Sequence, residues 1–559
     1  MGIDGPEKED GLLTGDGSLT LELEEFRLAN GLRVVLLPED SLPVAAVSVW
    51  YYVGSKNDPA ERTGLAHLFE HLMFEGSAGY DGEYFRPLQE AGASVNGSTS
   101  NDRTNYYEVV PRDFLERALW LEADRMGRLA PALSLAKLDN QRGVVKNERL
   151  QRVENAPYGR VGETLSGLFY PLGHPYSWPI LGWLADLDRI ELADAQAFLA
   201  RHYQPGAACL AIAGSFDRDD VRRWVDAYFG PIPGRPRPAE PVVVDSFEQS
   251  IRRARLTEDV ALGRLDIAWP TGPRFHPDEP ALDFVAEILA GGSKSSRLYR
   301  RMVKDERLAV NVHAGNATQK LAGRMVLRSY AFAGGDLGRI ESAADAEIEA
   351  LAAAPPDETE MERVRNTLLM ASLARVETAL GRAEAVQQYL FHQDECPPDA
   401  ILAELESYRR VTPAEVSAAA RKYLPVGKSI GDGRAIVAVA PDPAMKRLAA
   451  NLPPPPPFHR PPVAADALPC AGRPGEFLFP AAEEAAISGA FRARAIVARK
   501  LPRIDLQLVV SGGAGDDSAD RLGRARLAAA CWDEGTRRLS GDRLVAELDR
   551  LGASISVHA

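Results

Sequence analysis

The chain has 559 residues, 45% hydrophobic and 26% charged, more apolar material than one core uses, since single cores stop growing at roughly 250–300 residues. At least two domains are expected. Lys and Arg number 65 against 79 Asp and Glu, a formal net charge of −14, which is the wrong sign for a phosphate-binding surface and argues against nucleic acid as a partner.

Residues 1–18 read as a disordered tail: MGIDGPEKEDGLLTGDG is acidic and Gly-rich, with no basic leader and no apolar core of a signal peptide. No apolar run later reaches the roughly 18 residues that span a bilayer, so no membrane partner is expected. A cytoplasmic location follows as the expectation; a leader removed beforehand would make it periplasmic or secreted. Cys209, Cys396, Cys470 and Cys531 are far apart with no CxxC pair, against both a disulfide framework and a thiolate zinc site.

LELEEFRLANGLRVVLLPED alternates around Asn30-Gly31 and predicts a β-hairpin. LPVAAVSVWYYVGS (42–55) is a further strand. RTGLAHLFEHLMFEG (62–76) then takes helical spacing, with Gly76 as its stop. A short helix over 83–91, a strand pair through ASVNGSTSNDRTNYYEVV, and helices over 112–129 and 134–153 follow. The mixture predicts an α+β fold. A region from about 240 to 445 repeats the plan without an HxxEH, and residues 446–475, with five consecutive prolines from Pro453 to Pro457, predict an extended spacer.

A second repeat is legible residue by residue. The stretch from Leu501 aligns without a gap to that from Leu42, so that Gly54, Asp58, Arg62, Gly64 and Glu75-Gly76 meet Gly513, Asp517, Arg521, Gly523 and Glu534-Gly535. The copy keeps turn formers and loses chemistry: His67, Glu70 and His71 become Arg526, Ala529 and Ala530. Those residues cannot hold a metal. The strands of this copy have no evident partners and predict unpaired edges.

His67-Leu-Phe-Glu70-His71 places two imidazoles at i and i+4, one turn apart on one helix face, close enough to share an ion. Glu70 at i+3 suits a carboxylate that takes a proton from water rather than binding the ion. By composition alone such an HxxEH arises in about one chain in a hundred. The alternative for the pair is a solvated helix face. A catalytic zinc wants a third protein ligand, and the helix over 134–153 offers Glu148, with 76 residues between it and His71.

With that spacing the sequence resembles the pitrilysin/insulinase family of zinc metallopeptidases. NGLRVVL, VGSKNDPAERTGLAHLFEHLMFEGS, GASVNGSTSNDRTNYYEVVP, GHPYSWPILG and GGSKSSRLYRRMVKDERLAV carry the resemblance over about 20–445, and it resumes near 476. It implies repeated mixed α/β-sandwich domains of the LuxS/metallopeptidase-like type, in two halves forming a clamshell. The expected division is a catalytic domain over 19–238, a homologous domain over 239–445, the Pro-rich linker, and a degenerate repeat from 476. The implied roles are His67, His71 and Glu148 as ligands of one Zn2+ per active half and Glu70 as general base. The substrates implied are short unstructured peptides.

Further implications concern binding. The strand SVNGSTS matches the edge strand on which the family lays extended substrate, which brings in Asn96, Gly97, Ser98 and Thr99; the alternative is an ordinary internal strand. Arg297 and Tyr299 read as packing residues. Gln141 stands where many relatives have a second glutamate, and is expected to orient Glu148 while lowering the local negative charge. In the family an inactive half supplies an Arg and a Tyr that hold substrate, so the remainder of that half or an inactive partner subunit is an expected partner. Two other readings stay open: a non-catalytic structural subunit of the same family, and a purely structural zinc, for which no fourth ligand is evident.

Overall fold

The computed structural model describes residues 21–241, 243, 251–426, 433–442, 468–470, 472, 481–488, 491–497 and 501–559. The expected disordered tail and nearly all of the proline-rich spacer lie outside these. Of the spacer, Pro469 accepts a hydrogen bond from Arg117 (3.1 Å) and Gly472 donates to the Asp113 carbonyl (2.8 Å), so this part lies against the first half.

The first sheet holds β1 (Glu24–Arg27), β2 (Arg33–Pro38), β3 (Val44–Tyr51), β4 (Ser94–Thr99), β5 (Thr104–Pro111) and β6 (Ala208–Gly214), in the order β1-β2-β6-β3-β5-β4. Only β2 and β6 run parallel. The predicted hairpin pairs Glu24 with Leu36 and Arg27 with Arg33, and Gly31 turns it at a φ of 92°. RVVLLP, VAAVSVWY and ACLAIAG are nearly unbroken apolar runs because both faces of these strands are covered. Val34 and Leu36 pack in the core under α1 (Leu65–Leu72), together with α2 (Leu115–Arg128) and α3 (Leu135–Arg149). Val35 and Leu37 pack on the other side against Val386 and Leu390 of α4 (Ala379–Gln393).

The second sheet repeats this topology. Its strands β7 (Arg252–Glu258), β8 (Arg264–Thr271), β9 (Ala309–Thr318), β10 (Gly323–Ala331) and β11 (Ala435–Pro441) lie in the order β7-β11-β8-β10-β9, with β11 inserted parallel to β7 as β6 is to β2. The helix Glu279–Ala290 occupies the place that α1 has in the first sheet. The far face of this sheet, with Ala268, Val437 and Val439, is covered by Val161, Leu165 and Phe169, which come from a helix of the first half. Each sheet therefore buries its second face under a helix that the other half supplies.

Helix boundaries are tighter than periodicity predicts. The 62–76 pattern forms a helix only over 65–72, because Gly64 at φ 91° sets its start and the chain tightens into turns after Leu72. The 83–91 pattern yields Arg86–Gln89, and 112–129 begins with a separate 3-10 turn, Arg112–Phe114. The 134–153 pattern is α-helical to Arg149 and continues as a π-helical turn, Leu150–Glu154.

The Leu501 copy reproduces the loop geometry of the first. Asp58 accepts hydrogen bonds from the Gly64 and Ala66 amides (both 2.8 Å), and Asp517 accepts from Gly523 and Ala525 (2.9 and 3.1 Å). Gly64 and Gly523 share a left-handed conformation, φ 91° and 93°. The counterpart of β3 differs. Residues 503–510 pair with no strand among the described residues, and Leu506 is 93% exposed where its equivalent Val47 is fully buried.

Beneath α1 the core holds two carboxyls and one cation. Arg125 stacks on Tyr84 and Tyr106 (4.2 and 4.3 Å to the ring centroids) and pairs with Glu122, leaving the fully buried Glu108 without a cation of its own. Burial and the neighbouring Glu122 push the Glu108 carboxyl well above its ordinary value of 4.5. Above about pH 4.5 the unfolded chain therefore binds fewer protons here than the folded one, and stability falls as pH rises. Glu108→Gln is expected to raise Tm at pH 8 by a few degrees, with the gain vanishing below about pH 4.5. A calorimetric shift of equal size at both ends would refute this.

Candidate metal centre

α1 is amphipathic in the literal sense. Leu65, Leu68, Phe69 and Leu72 enter the core, which leaves His67, Glu70 and His71 on the face toward α3. No side chain caps α1 at Gly64, and the Asp58 carboxylate instead satisfies its first amides across the loop. α3 begins at Ser134, whose side chain accepts from the Lys137 amide, and seats Leu138 and Val145 in the same core. Gln141 and Glu148, two turns apart, consequently face α1.

The two helices bring His67, His71 and Glu148 together. One potential ligand atom from each lies within 4.8 Å of the others. Glu148 Oε2 is 3.3 Å from His71 Nε2 and 3.7 Å from His67 Nε2, and the imidazole rings lie 4.9 Å apart at 72°. Glu70 Oε2, 4.0 Å from His67 Nε2, accepts a hydrogen bond from Thr99 Oγ1 at 2.6 Å. Glu148 Oε1 is 2.7 Å from a guanidinium nitrogen of Arg152.

Electrostatics favour the forms that bind a cation. Burial, helped by His71, pushes the His67 imidazole down to about 4, so it is neutral at pH 7. Against the effect of burial, the hydrogen bond from His71 and the charges around it hold Glu148 below the usual carboxylate range. Burial raises Glu70 in spite of its bond from Thr99. Two imidazoles, that of His67 neutral, and a carboxylate converging at one point fit a divalent ion of zinc type, which takes nitrogen and oxygen donors readily. Among the described residues no fourth ligand, histidine or cysteine, joins them.

Other expected residues fall differently. Gln141 does not reach Glu148; its Nε2 donates to Glu75 Oε1 at 2.6 Å, and both side chains are buried. Gln141 is thus tied to a carboxyl, that of Glu75, four residues after His71, a spacing that was open to inspection in the sequence. Arg152 carries the same signal, at i+4 from Glu148. Among the described residues β4 is an edge strand, pairing with β5 alone, rather than an internal one. Thr99 and Gly97 lie on its α1 side, Gly97 so close to Phe74 that a Cβ would meet that ring at 3.2 Å. Asn96 points to the opposite face, away from Glu70, and its side chain accepts from the Gly97 amide. Ser98 shares that face and bonds Asn105. Arg297 pairs with Glu360 and Tyr299 packs in the second core, as structural residues.

Comparison with known proteins places this geometry. Residues 33–172 match the family model for insulinase (peptidase family M16), and residues 189–368 match that for the peptidase M16 inactive domain. The chain is 30% identical over 298 residues to the zinc protease PqqE of Helicobacter pylori, covering 52% of this chain and 66% of that one. It is 27% identical to the probable mitochondrial-processing peptidase subunit beta of Arabidopsis thaliana, over 71% of this chain and 75% of the relative. The match thus spans about two thirds to three quarters of either relative. A protease structure from Helicobacter pylori superposes with a TM-score of 0.69 over 75% of this chain and 100% of that one, at 24% identity, and shares the fold. Two matching family models, the same sheet topology in both halves and the paired helices α1 and α3 lead to one conclusion: this chain belongs to the insulinase family of peptidases, M16.

Proposed function

We propose that the protein is a zinc-dependent endopeptidase that hydrolyses short, extended peptides. The observation that supports this most is the convergence of His67, His71 and Glu148 with Glu70 beside them and Thr99 holding the Glu70 carboxylate. His67, His71 and Glu148 would hold the ion, and zinc bound there supplies Lewis acidity to a water and to a carbonyl oxygen. Glu70 takes a proton from the attacking water at its carboxylate and returns it to the nitrogen of the leaving amine. Its raised pKa makes it a stronger base than an exposed glutamate. The Thr99 hydroxyl fixes which oxygen faces the reacting atoms.

β4 supplies the other half of the reading. Its outer edge is unpaired among the described residues, so an extended peptide can add a strand there, one residue row from Glu70. Folded proteins cannot present such a backbone. The exposed apolar segment 503–510 supports a partner as well: its equivalent β3 is flanked by β5 and β6, and a polypeptide of the same fold would supply the matching strands.

Glu70→Gln is expected to keep about one zinc per chain by metal analysis while kcat falls on the order of 10²–10⁴-fold. Near-normal turnover would remove Glu70 from its role. Glu148→Gln should lose zinc and activity together, and chelation of the wild type should abolish cleavage until zinc is restored. Cleavage that persists in full chelator would exclude a metal-dependent mechanism.

A further inference from the structure

The contact between α4 and the first sheet is polar at one point, and that point leads to β4. Glu384, on α4, belongs to the second half of the chain. Its carboxylate accepts from Ser48 Oγ (2.6 Å) and Trp50 Nε1 (3.1 Å) on β3, and from Asn105 Nδ2 (3.0 Å) on β5. The other end of the Asn105 amide, Oδ1, accepts from Ser98 Oγ (2.7 Å) and from the Arg103 guanidinium (3.1 Å). That guanidinium donates in turn to the Ser98 carbonyl and hydroxyl (3.0 and 2.7 Å) and lies 4.9 Å above the Trp50 ring.

The direction of each bond is forced. Glu384 offers only acceptors, so Asn105 must turn its NH2 toward α4 and its oxygen toward Arg103 and Ser98. Arg103 offers only donors and needs that oxygen. The polarity of a half-buried carboxylate in one half of the molecule thus propagates through Asn105 to the backbone of the edge strand in the other half. Ser98 immediately precedes Thr99, whose hydroxyl holds Glu70. The hairpin tip is fastened from the same side: Gln319 donates to the Asn101 side chain (3.0 Å), and the Lys320 amide donates to Asp102 (2.9 Å).

We infer that Glu384 is a positioning residue through which the second half of the chain sets the conformation of β4 for the incoming peptide. The inference rests on the proposed peptidase function in that β4 is taken as the strand that receives substrate. It assigns to the second half a part in substrate binding that its lack of an HxxEH does not remove.

The test is a charge-preserving swap. Glu384→Gln presents an NH2 where Asn105 needs an acceptor; the Asn105 amide must flip or lose its bond, and its NH2 then opposes Arg103. Adding Asn105→Asp gives position 105 acceptor oxygens on both sides and restores every donor–acceptor pair. Glu384→Gln in the full chain is expected to raise KM about tenfold with kcat within twofold, and to speed amide hydrogen exchange over residues 94–103 about tenfold. The double substitution should return both to within about twofold of wild type. A Glu384→Gln chain with unchanged KM and exchange overturns the inference. So does a loss that Asn105→Asp fails to recover, because simple packing damage would not respond to the swap. The exchange measurement needs no substrate, so a wild type that cleaves no peptide defeats the proposed function while the β4 coupling is still read from exchange alone.

Discussion

Each of the two main sheets has two apolar faces and helices of its own for only one of them. The rest of the structure follows from how the second faces are covered. α4 closes the back of the first sheet, and the helix Val161–Phe169 closes the back of the second. Neither half can bury its strands alone, and the unbroken apolar runs of β2, β3 and β6 would be an aggregation hazard without the exchange. The front faces are then free to specialise. In the first half the front carries α1 with its two histidines; in the second the equivalent helix, Glu279–Ala290, has no histidine, and its carboxyls Glu279 and Asp283 bond Arg274 and Tyr408.

The closure explains the electrostatics of the front face. α1 is seated on a buried core, so His67 and Glu70 stand at the margin of a low-dielectric region, and their protonation follows from burial more than from any one neighbour. The same burial makes the Glu108, Glu122 and Arg125 group costly beneath them. One guanidinium cannot neutralise two carboxylates, and three aromatic rings surround Arg125.

How much of this could be read from residue order alone differs by element. The hairpin at Asn30-Gly31, the strand at 42–55 and the helix bearing His67 and His71 were legible because each follows a local rule, turn chemistry or periodicity. Glu148 was legible from its distance along the chain to His71 through resemblance to a family. The limits of α1 were not, because its start is set by Asp58 and by a left-handed Gly64 packed on the Leu181 carbonyl, a tertiary fact. Gln141 misled for a related reason. Its position on α3 was right, but its partner, Glu75, belongs to the segment after α1, and no spacing rule links positions 75 and 141. Glu384 was out of reach altogether, since it lies 279 positions from Asn105.

The Asp58 loop recurs 459 positions later with the same left-handed glycine and the same two amides bound by Asp517, above a helix that carries Arg526, Ala529 and Ala530 in place of the cation-binding set. What builds the helix and what works on it are therefore separate inheritances. A duplicated gene segment can shed its reactive side chains without putting the loop or the helix at risk, since none of them contributes to the cap. Lineages of this architecture can accumulate inert copies at almost no cost to foldability, and each inert copy remains a shape available for new use.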